Sequence, residues 1–395
     1  MKNVKKSNIL IVHGGGPTAV MNASLYGVIV EAQQYDEIDK VYASLGGTDG
    51  ILQENFVDLK LQESSVLEKL LETPGTAIGT SRFELTEADY QSMPAIFKKN
   101  KIKYVLFNGG NGTMDTCGKV KKACEGTDVI VVGIPKTIDN DLALTDHAPG
   151  YASAANYIAK TTAEIGMDVK SLPIHVSIIE AMGRNAGWIT AASTLARKRE
   201  GDAPHLIYLP EVTFDKKRFL KEVKEQYERY GGIVVVVSEG LKGEDGKSIV
   251  PPLYESGRSS YPGDVGTYLA ELVIRELGVK ARSEKPGIAG RASITMQSDV
   301  DREEAILVGR EAVKVALQGI SGVMIGIERK PTDKYEIELV NLPIEKVMLH
   351  EKTLPSSFYN EMGNDVTQEF IDWVKPLVSS EISNFVNFNE GNDKQ

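Results

Sequence analysis

Short β-branched runs recur along the chain, and several give way abruptly to glycine or to polar residues. Residues 8–13 (NILIVH) lead into Gly14-Gly15-Gly16. Residues 104–107 lead into Asn108-Gly109-Gly110-Asn111-Gly112-Thr113, and 129–134 into Pro135-Lys136-Thr137-Ile138-Asp139-Asn140-Asp141. Residues 175–179 run on to Glu180-Ala181-Met182-Gly183-Arg184, and 232–237 to Ser238-Glu239-Gly240. Unbroken apolar runs of this length suit parallel strands covered on both faces. Helical periodicity falls between them, over 19–33, 114–123, 152–165, 216–230 and 303–317. Strand and helix in alternation predict an α/β fold with doubly wound parallel sheets. Ligands of such sheets lie beyond the carboxyl ends of the strands, which is where the unusual residues of this chain stand. The stretches 241–248 and 255–263 read as loops, and 389–395 as a frayed tail.

Composition narrows the field. With 395 residues, 42% hydrophobic and 25% charged, the chain has ordinary globular usage and room for two domains. A formal charge of −10 is opposite in sign to a nucleic-acid binder's footprint, so no nucleic-acid partner is expected. The cysteines, Cys117 and Cys124, are too few for a disulfide framework and wrongly spaced for zinc. The first apolar run is too short for a signal peptide and no run is long enough for a membrane span. A cytoplasmic protein with no membrane partner is the expectation.

Each polar stretch has an ordinary and a chemical reading. A glycine turn after a strand is a common α/β turn, but it also lets the backbone approach a phosphate at a helix N-terminus. Two such turns, with Gly15 in one and Gly110, Asn111, Gly112 and Thr113 in the other, suggest one polyphosphate cradled by both. Neither carries the Gly-Lys-Ser/Thr of a P-loop or the Gly-x-Gly-x-x-Gly of a dinucleotide fold. The stretch 136–141 is the most informative. Two carboxylates after an apolar strand either cap a turn or do chemistry, Asp139 taking a proton and Asp141 helping to hold hydrated magnesium. Lys136 would supply a cation for phosphate. Met182-Gly183-Arg184 suits a sugar phosphate or a helix start, and Arg82, in a loop of small residues, carries the same ambiguity. His147, His205 and His350 have no pattern around them and read as structural or exposed.

Taken together and in this order, these stretches resemble the phosphofructokinase superfamily, over roughly residues 7 to 360. PKTIDND and MGRNAGW are the specific motifs. The stretch Glu351-Lys352-Thr353-Leu354-Pro355 is similar to a branch of about 400 residues with many pyrophosphate-using members. The resemblance implies phosphoryl transfer to the 1-hydroxyl of fructose 6-phosphate with Mg2+, between two Rossmann-like domains with the active site in their cleft. It makes Asp139 the general base, Thr137 a contact to the sugar or the moving phosphoryl, and Asn111 and Asp141 the magnesium side. Arg82 and Lys136 would neutralise phosphoryl charge. Met182, Gly183, Arg184 and Glu239 would hold the sugar. Arg291, with Arg282 and His175 across a subunit interface, would hold the 6-phosphate, although Ile288 stands where a histidine is usual. A shared site implies a homodimer or homotetramer.

The expected donor domain covers 1–150 and about 285–350. The sugar-phosphate domain covers 151–284 with the C-terminal helices. Within the family, glycine at position 112 goes with ATP and aspartate with pyrophosphate, so ATP is the expected donor. Lys136, Thr48 and Glu87 pull the other way.

Overall fold

The computed structural model describes residues 6–256, 259–261, 263–348, 350–378 and 382–388. The chain divides into two compact units, Met1–Ala154 with Ile288–Lys352, and Ala155–Gly287 with Thr353–Gln395. The described strands are β1 (Ser7–His13), β2 (Ile38–Ser44), β3 (Phe56–Asp58), β4 (Ile102–Gly109), β5 (Ile130–Pro135), β6 (His175–Ala181) and β7 (Leu206–Tyr208). They continue with β8 (Ile233–Ser238), β9 (Tyr254–Ser256), β10 (Ser259–Tyr261), β11 (Lys280–Glu284), β12 (Val323–Arg329) and β13 (Ile337–Pro343).

In the first unit the sheet order is β13-β12-β5-β4-β1-β2-β3. Its inner strands pair in parallel, and β3 and β13 close the two edges antiparallel. Successive side chains of a strand point to opposite faces, and β1 shows the consequence. Ile9 and Ile11 join one core, with helices Met21–Ala32 and Asp299–Leu317. Leu10 and Val12 join the other, with helices Glu87–Lys99 and Asn111–Ala123. The first two helices cross at paired glycines. A Cβ on Gly27 would stand 2.2 Å from the Ile306 carbonyl, and one on Gly309 2.2 Å from that of Ser24. No larger residue permits that approach.

The second unit is built on a four-stranded parallel sheet, β11-β6-β8-β7. Helices Lys216–Tyr230 and Val265–Leu277 cover it, and the valines of β8 are fully buried. Stretch 241–248 is a loop closed by a bridge between Lys242 and Ser248. Stretch 255–263 differs from the expected loop, because part of it forms the β9–β10 hairpin. The expected tail at 389–395 lies outside the described residues. Among the described residues no helix is long and apolar enough to cross a membrane.

The topology places the polar stretches together. β5, β4 and β1 are adjacent and parallel, with His13 opposite Asn108 and Gly109 opposite Pro135. The three segments that follow, 14–16, 110–113 and 136–141, therefore leave the same end of one sheet.

Candidate active site

The two glycine turns of the first unit are locked by a single side chain. A Cβ on Gly14 would lie 2.3 Å from Thr113 Oγ1, and one on Gly109 would lie 2.1 Å from it. Thr113 fills the space that both glycines leave, and the Gly14 amide donates to the Asn108 carbonyl at 2.9 Å. Gly110 has an extended backbone and caps helix Asn111–Ala123, whose first turn carries no acidic residue. The sequence places that helix three residues late, because Asn111 and Gly112 disguise its start. A Cβ on Gly112 would meet nothing within 4 Å.

Beside these turns, the loop after β5 is tied internally. Thr137 Oγ1 donates to Asp141 Oδ1 at 3.0 Å, Asn111 Nδ2 donates to Asp141 Oδ2 at 2.8 Å, and the Asp139 amide donates to Thr137 Oγ1 at 3.1 Å. Lys136 is 3% exposed, and its Nζ donates to the Gly16 carbonyl at 2.6 Å. Burial pulls its pKa down to about 8; Asp139 works against this, and Arg291 and Arg82 add to it. Arg82 is exposed and follows Ser81, which bridges to Gly14. Thr80 Oγ1 fastens the same loop to the Gly15 carbonyl at 3.0 Å. Arg291, expected among the 6-phosphate ligands, is in this unit, its guanidinium Nη1 3.0 Å from where a Cβ on Gly16 would be. Thr48 Oγ1 lies 3.3 Å from Ser81 Oγ, and Glu87 sits in the first turn of helix Glu87–Lys99, where its charge suits the helix dipole. His13 is fully buried with Nδ1 2.7 Å from Thr76 Oγ1, and burial followed by the charge of Lys136 lowers its pKa to about 3.

The loop carries backbone strain, and residues distant from it in sequence support it. Asn140 and Leu144 have φ of +51° and +67°, left-handed values that non-glycine residues rarely adopt. Lys352 Nζ donates to the carbonyls of Asp146 at 2.7 Å and Thr145 at 2.9 Å. Beyond it, His147 is fully buried between Asp146 Oδ1 (2.8 Å) and Glu304 Oε2 (2.6 Å). Burial alone would lower the His147 pKa, but Glu304 and Asp146 outweigh it and raise it to about 9.

In the second unit, Gly183 has φ +117°, and a Cβ there would strike the Ala186 carbonyl at 2.6 Å. Its amide donates to Glu239 Oε1 at 3.2 Å, and Ser238 Oγ donates to its carbonyl at 2.7 Å. Met182 is half-buried and Arg184 exposed on this turn. Burial raises the Glu239 pKa, and the neighbouring Glu180 adds to the rise. Glu180, which the sequence did not single out, is 1% exposed; it faces Lys285 Nζ at 2.5 Å and accepts from the Gly266 amide at 2.7 Å. Arg282 is exposed on β11, the edge strand of its sheet. His175 is buried on β6, and burial together with the charge of Arg282 lowers its pKa. Thus 14–16, 82, 110–113, 136–141 and 291 belong to one unit, and 175, 182–184, 239 and 282 to the other.

A magnesium ion fits what stands in the first unit. Asn111 Oδ1 is buried without a hydrogen-bond partner among the described residues, beside the carboxylate of Asp141. Among the described residues no cluster of three or more His, Cys, Asp or Glu forms a self-sufficient metal cage. One carbonyl oxygen and one carboxylate suit Mg2+ that takes its remaining ligands from phosphate and water.

Comparison with known proteins places the chain in a family. The family model described as Phosphofructokinase matches residues 8–316. A pyrophosphate–fructose 6-phosphate 1-phosphotransferase of Rhodospirillum rubrum is 37% identical over 94% of this chain and 94% of its own. The enzyme of the same name from Xanthomonas campestris is 37% identical over 95% and 92%. The crystal structure of a pyrophosphate-dependent phosphofructokinase from Marinobacter aquaeolei superposes with a TM-score of 0.87 at 35% identity, covering 98% of this chain and 94% of the other. On the match of the family model and of relatives along almost its whole length, this chain belongs to the phosphofructokinase family, and it is a phosphotransferase.

Proposed function

We propose that the protein transfers a phosphoryl group from inorganic pyrophosphate to the 1-hydroxyl of fructose 6-phosphate. The observation that carries this reading is the Lys136–Asp141 loop, bonded to the first glycine turn through Lys136 and to the second through Asn111. The donor assignment is supported by relatives of 37% identity along almost the whole chain that bear the pyrophosphate name. It replaces the ATP expected from Gly112. In this mechanism Asp139 accepts the proton as the 1-hydroxyl oxygen bonds to phosphorus and the bond to the leaving phosphate breaks. Such transfer depends on positioning and on cations more than on covalent chemistry. Lys136 and Arg82 offset phosphoryl charge, and the helix start at Gly110 to Gly112 turns its backbone amides to the donor. Mg2+, held by Asp141 and Asn111, supplies further charge neutralisation when bound. Met182, Gly183, Arg184 and Glu239 hold the sugar, and Arg282, on an edge strand, contributes to the 6-phosphate pocket of a homodimer or homotetramer.

A second reading keeps the chemistry and changes the donor. Gly112 leaves open space where a side chain would stand, which admits the α-phosphate of a nucleotide. The deciding experiment is kcat/KM for pyrophosphate and for ATP, with magnesium and fructose 6-phosphate, in the wild type and in Gly112→Asp. The expected result is turnover with pyrophosphate that survives the substitution. Turnover with ATP alone, abolished in Gly112→Asp by volume and like charge, would establish the second reading. No turnover with either donor would overturn both.

A further inference from the structure

We propose that Lys352 is a positioning residue for the phosphoryl-transfer loop, holding Asp139 and Asp141 in place from outside the site. The inference rests on the reading that these two carboxylates serve phosphoryl transfer. The segment 139–147 has a side fixed to β12 and a side that carries the two carboxylates. On the fixed side the Asp146 amide donates to the Ile327 carbonyl of β12 at 2.8 Å, and Thr145 Oγ1 exchanges bonds with the Ile327 amide and carbonyl at 2.9 and 3.2 Å. On the other stand Asp139, Asn140 and Asp141, with Asn140 in the left-handed region and its Oδ1 also accepting from the Ala148 amide at 3.1 Å. Lys352 joins the two. Its ammonium donates to the Asp146 and Thr145 carbonyls at 2.7 and 2.9 Å and reaches Asn140 Oδ1 at 3.4 Å, while its own amide donates to the Asp141 carbonyl at 2.8 Å. Glu351 adds a bridge to Leu142. Three diverging acceptors match the three donors of an ammonium, and the planar fork of arginine does not. Because Asn140 is the single residue between the two carboxylates, holding it constrains both. This accounts for the Glu351–Pro355 stretch, which touches neither glycine turn in any bond described above.

The test compares wild type, Lys352→Met, Lys352→Arg and Lys352→Ala. Displacing a reacting group by about 1 Å costs on the order of 10²-fold. Lys352→Met is therefore expected to lose about 10- to 100-fold in kcat with the KM for fructose 6-phosphate changed less than about threefold. Lys352→Arg should lie near Met rather than near wild type. Propylammonium added to Lys352→Ala should restore turnover. Hydrogen exchange on each full chain gives a readout independent of the reaction: amides of 138–146 should exchange faster in Lys352→Met, with the rest of the unit unchanged. A lower melting temperature with wild-type kcat for the folded protein would overturn the proposal, and so would unchanged exchange in 138–146. If the wild type shows no turnover while the exchange result holds, the assigned reaction fails and the role of Lys352 in ordering the loop stands.

Discussion

The two units hold their candidate groups in different ways. In the first, Asp141 accepts from both Thr137 and Asn111, and Lys136 is bound to Gly16 and buried. In the second, Glu239 accepts from the Gly183 amide at 3.2 Å, and Arg184 and Arg282 stand exposed. The difference matches the chemistry proposed for each side. Charge development on a moving phosphoryl group is met best by groups fixed beforehand, because their reorganisation would otherwise add to the barrier. A sugar phosphate brings its own hydrogen-bonding groups and can order exposed side chains as it binds. Damage to the first unit should therefore appear in kcat, and damage to the second in KM.

The largest effect is expected at Asp139. Asp139→Asn keeps the shape and removes the proton acceptor, so kcat should fall by at least ~10²-fold. The KM for fructose 6-phosphate should change little. Near-normal kcat would end the assignment of Asp139 as general base and with it the contrast between the units. A smaller effect of the opposite kind is expected at Glu239. Glu239→Gln weakens a charge-assisted bond of about 1.5–3 kcal/mol, so KM for the sugar phosphate should rise at least about 10-fold while kcat falls less. A variant that lost kcat and kept KM would show that the sugar side also acts in the transition state.

The parts of this contrast were unequally legible in the sequence. Strands β1, β4, β5 and β8 announce themselves because both faces are buried and the apolar run is unbroken. β11 (KARSE) and β13 (IELVNLP) lie at sheet edges, expose one side, and so carry polar residues that hide them. The glycine turns and the Lys136–Asp141 loop were readable because polar residues at strand ends are conspicuous. Their supports were not. Lys352 meets Thr145 across 207 positions, and His147 meets Glu304 across 157. No local period or spacing encodes such a pair. Arg291 illustrates the reverse, a residue marked by its motif whose neighbour, Gly16, only the fold reveals.

The smallest effect sharpens the comparison through stability rather than turnover. His147 belongs to the fixed half, with Asp146 and Glu304 on its two ring nitrogens, Tyr335 Oη 3.3 Å from Nε2, and Arg329 bonded to the same Asp146 oxygen. Its pKa is raised to about 9, against 6.5 for the unperturbed group. The folded state thus keeps a proton that the unfolded chain releases. The stabilisation is fully present below about pH 6.5 and is lost as pH rises through 9, at no more than about 1.4 kcal/mol per pH unit. Lys136 and Lys352 act with the opposite sign. Their pKa values are lowered to about 8, so above that pH the folded state sheds protons that the unfolded chain retains, and stability is regained. The clean window is therefore pH 6.5 to 8, where His147 acts with least opposition from the two lysines. Over it the melting temperature should fall in the wild type by a few degrees, at about 2–4 °C per kcal/mol, and stay flatter in His147→Gln. An equal slope in both proteins would mean that His147 is neutral in the fold, and that Asp146 and Glu304 share their charge with Arg329 and Tyr335 instead.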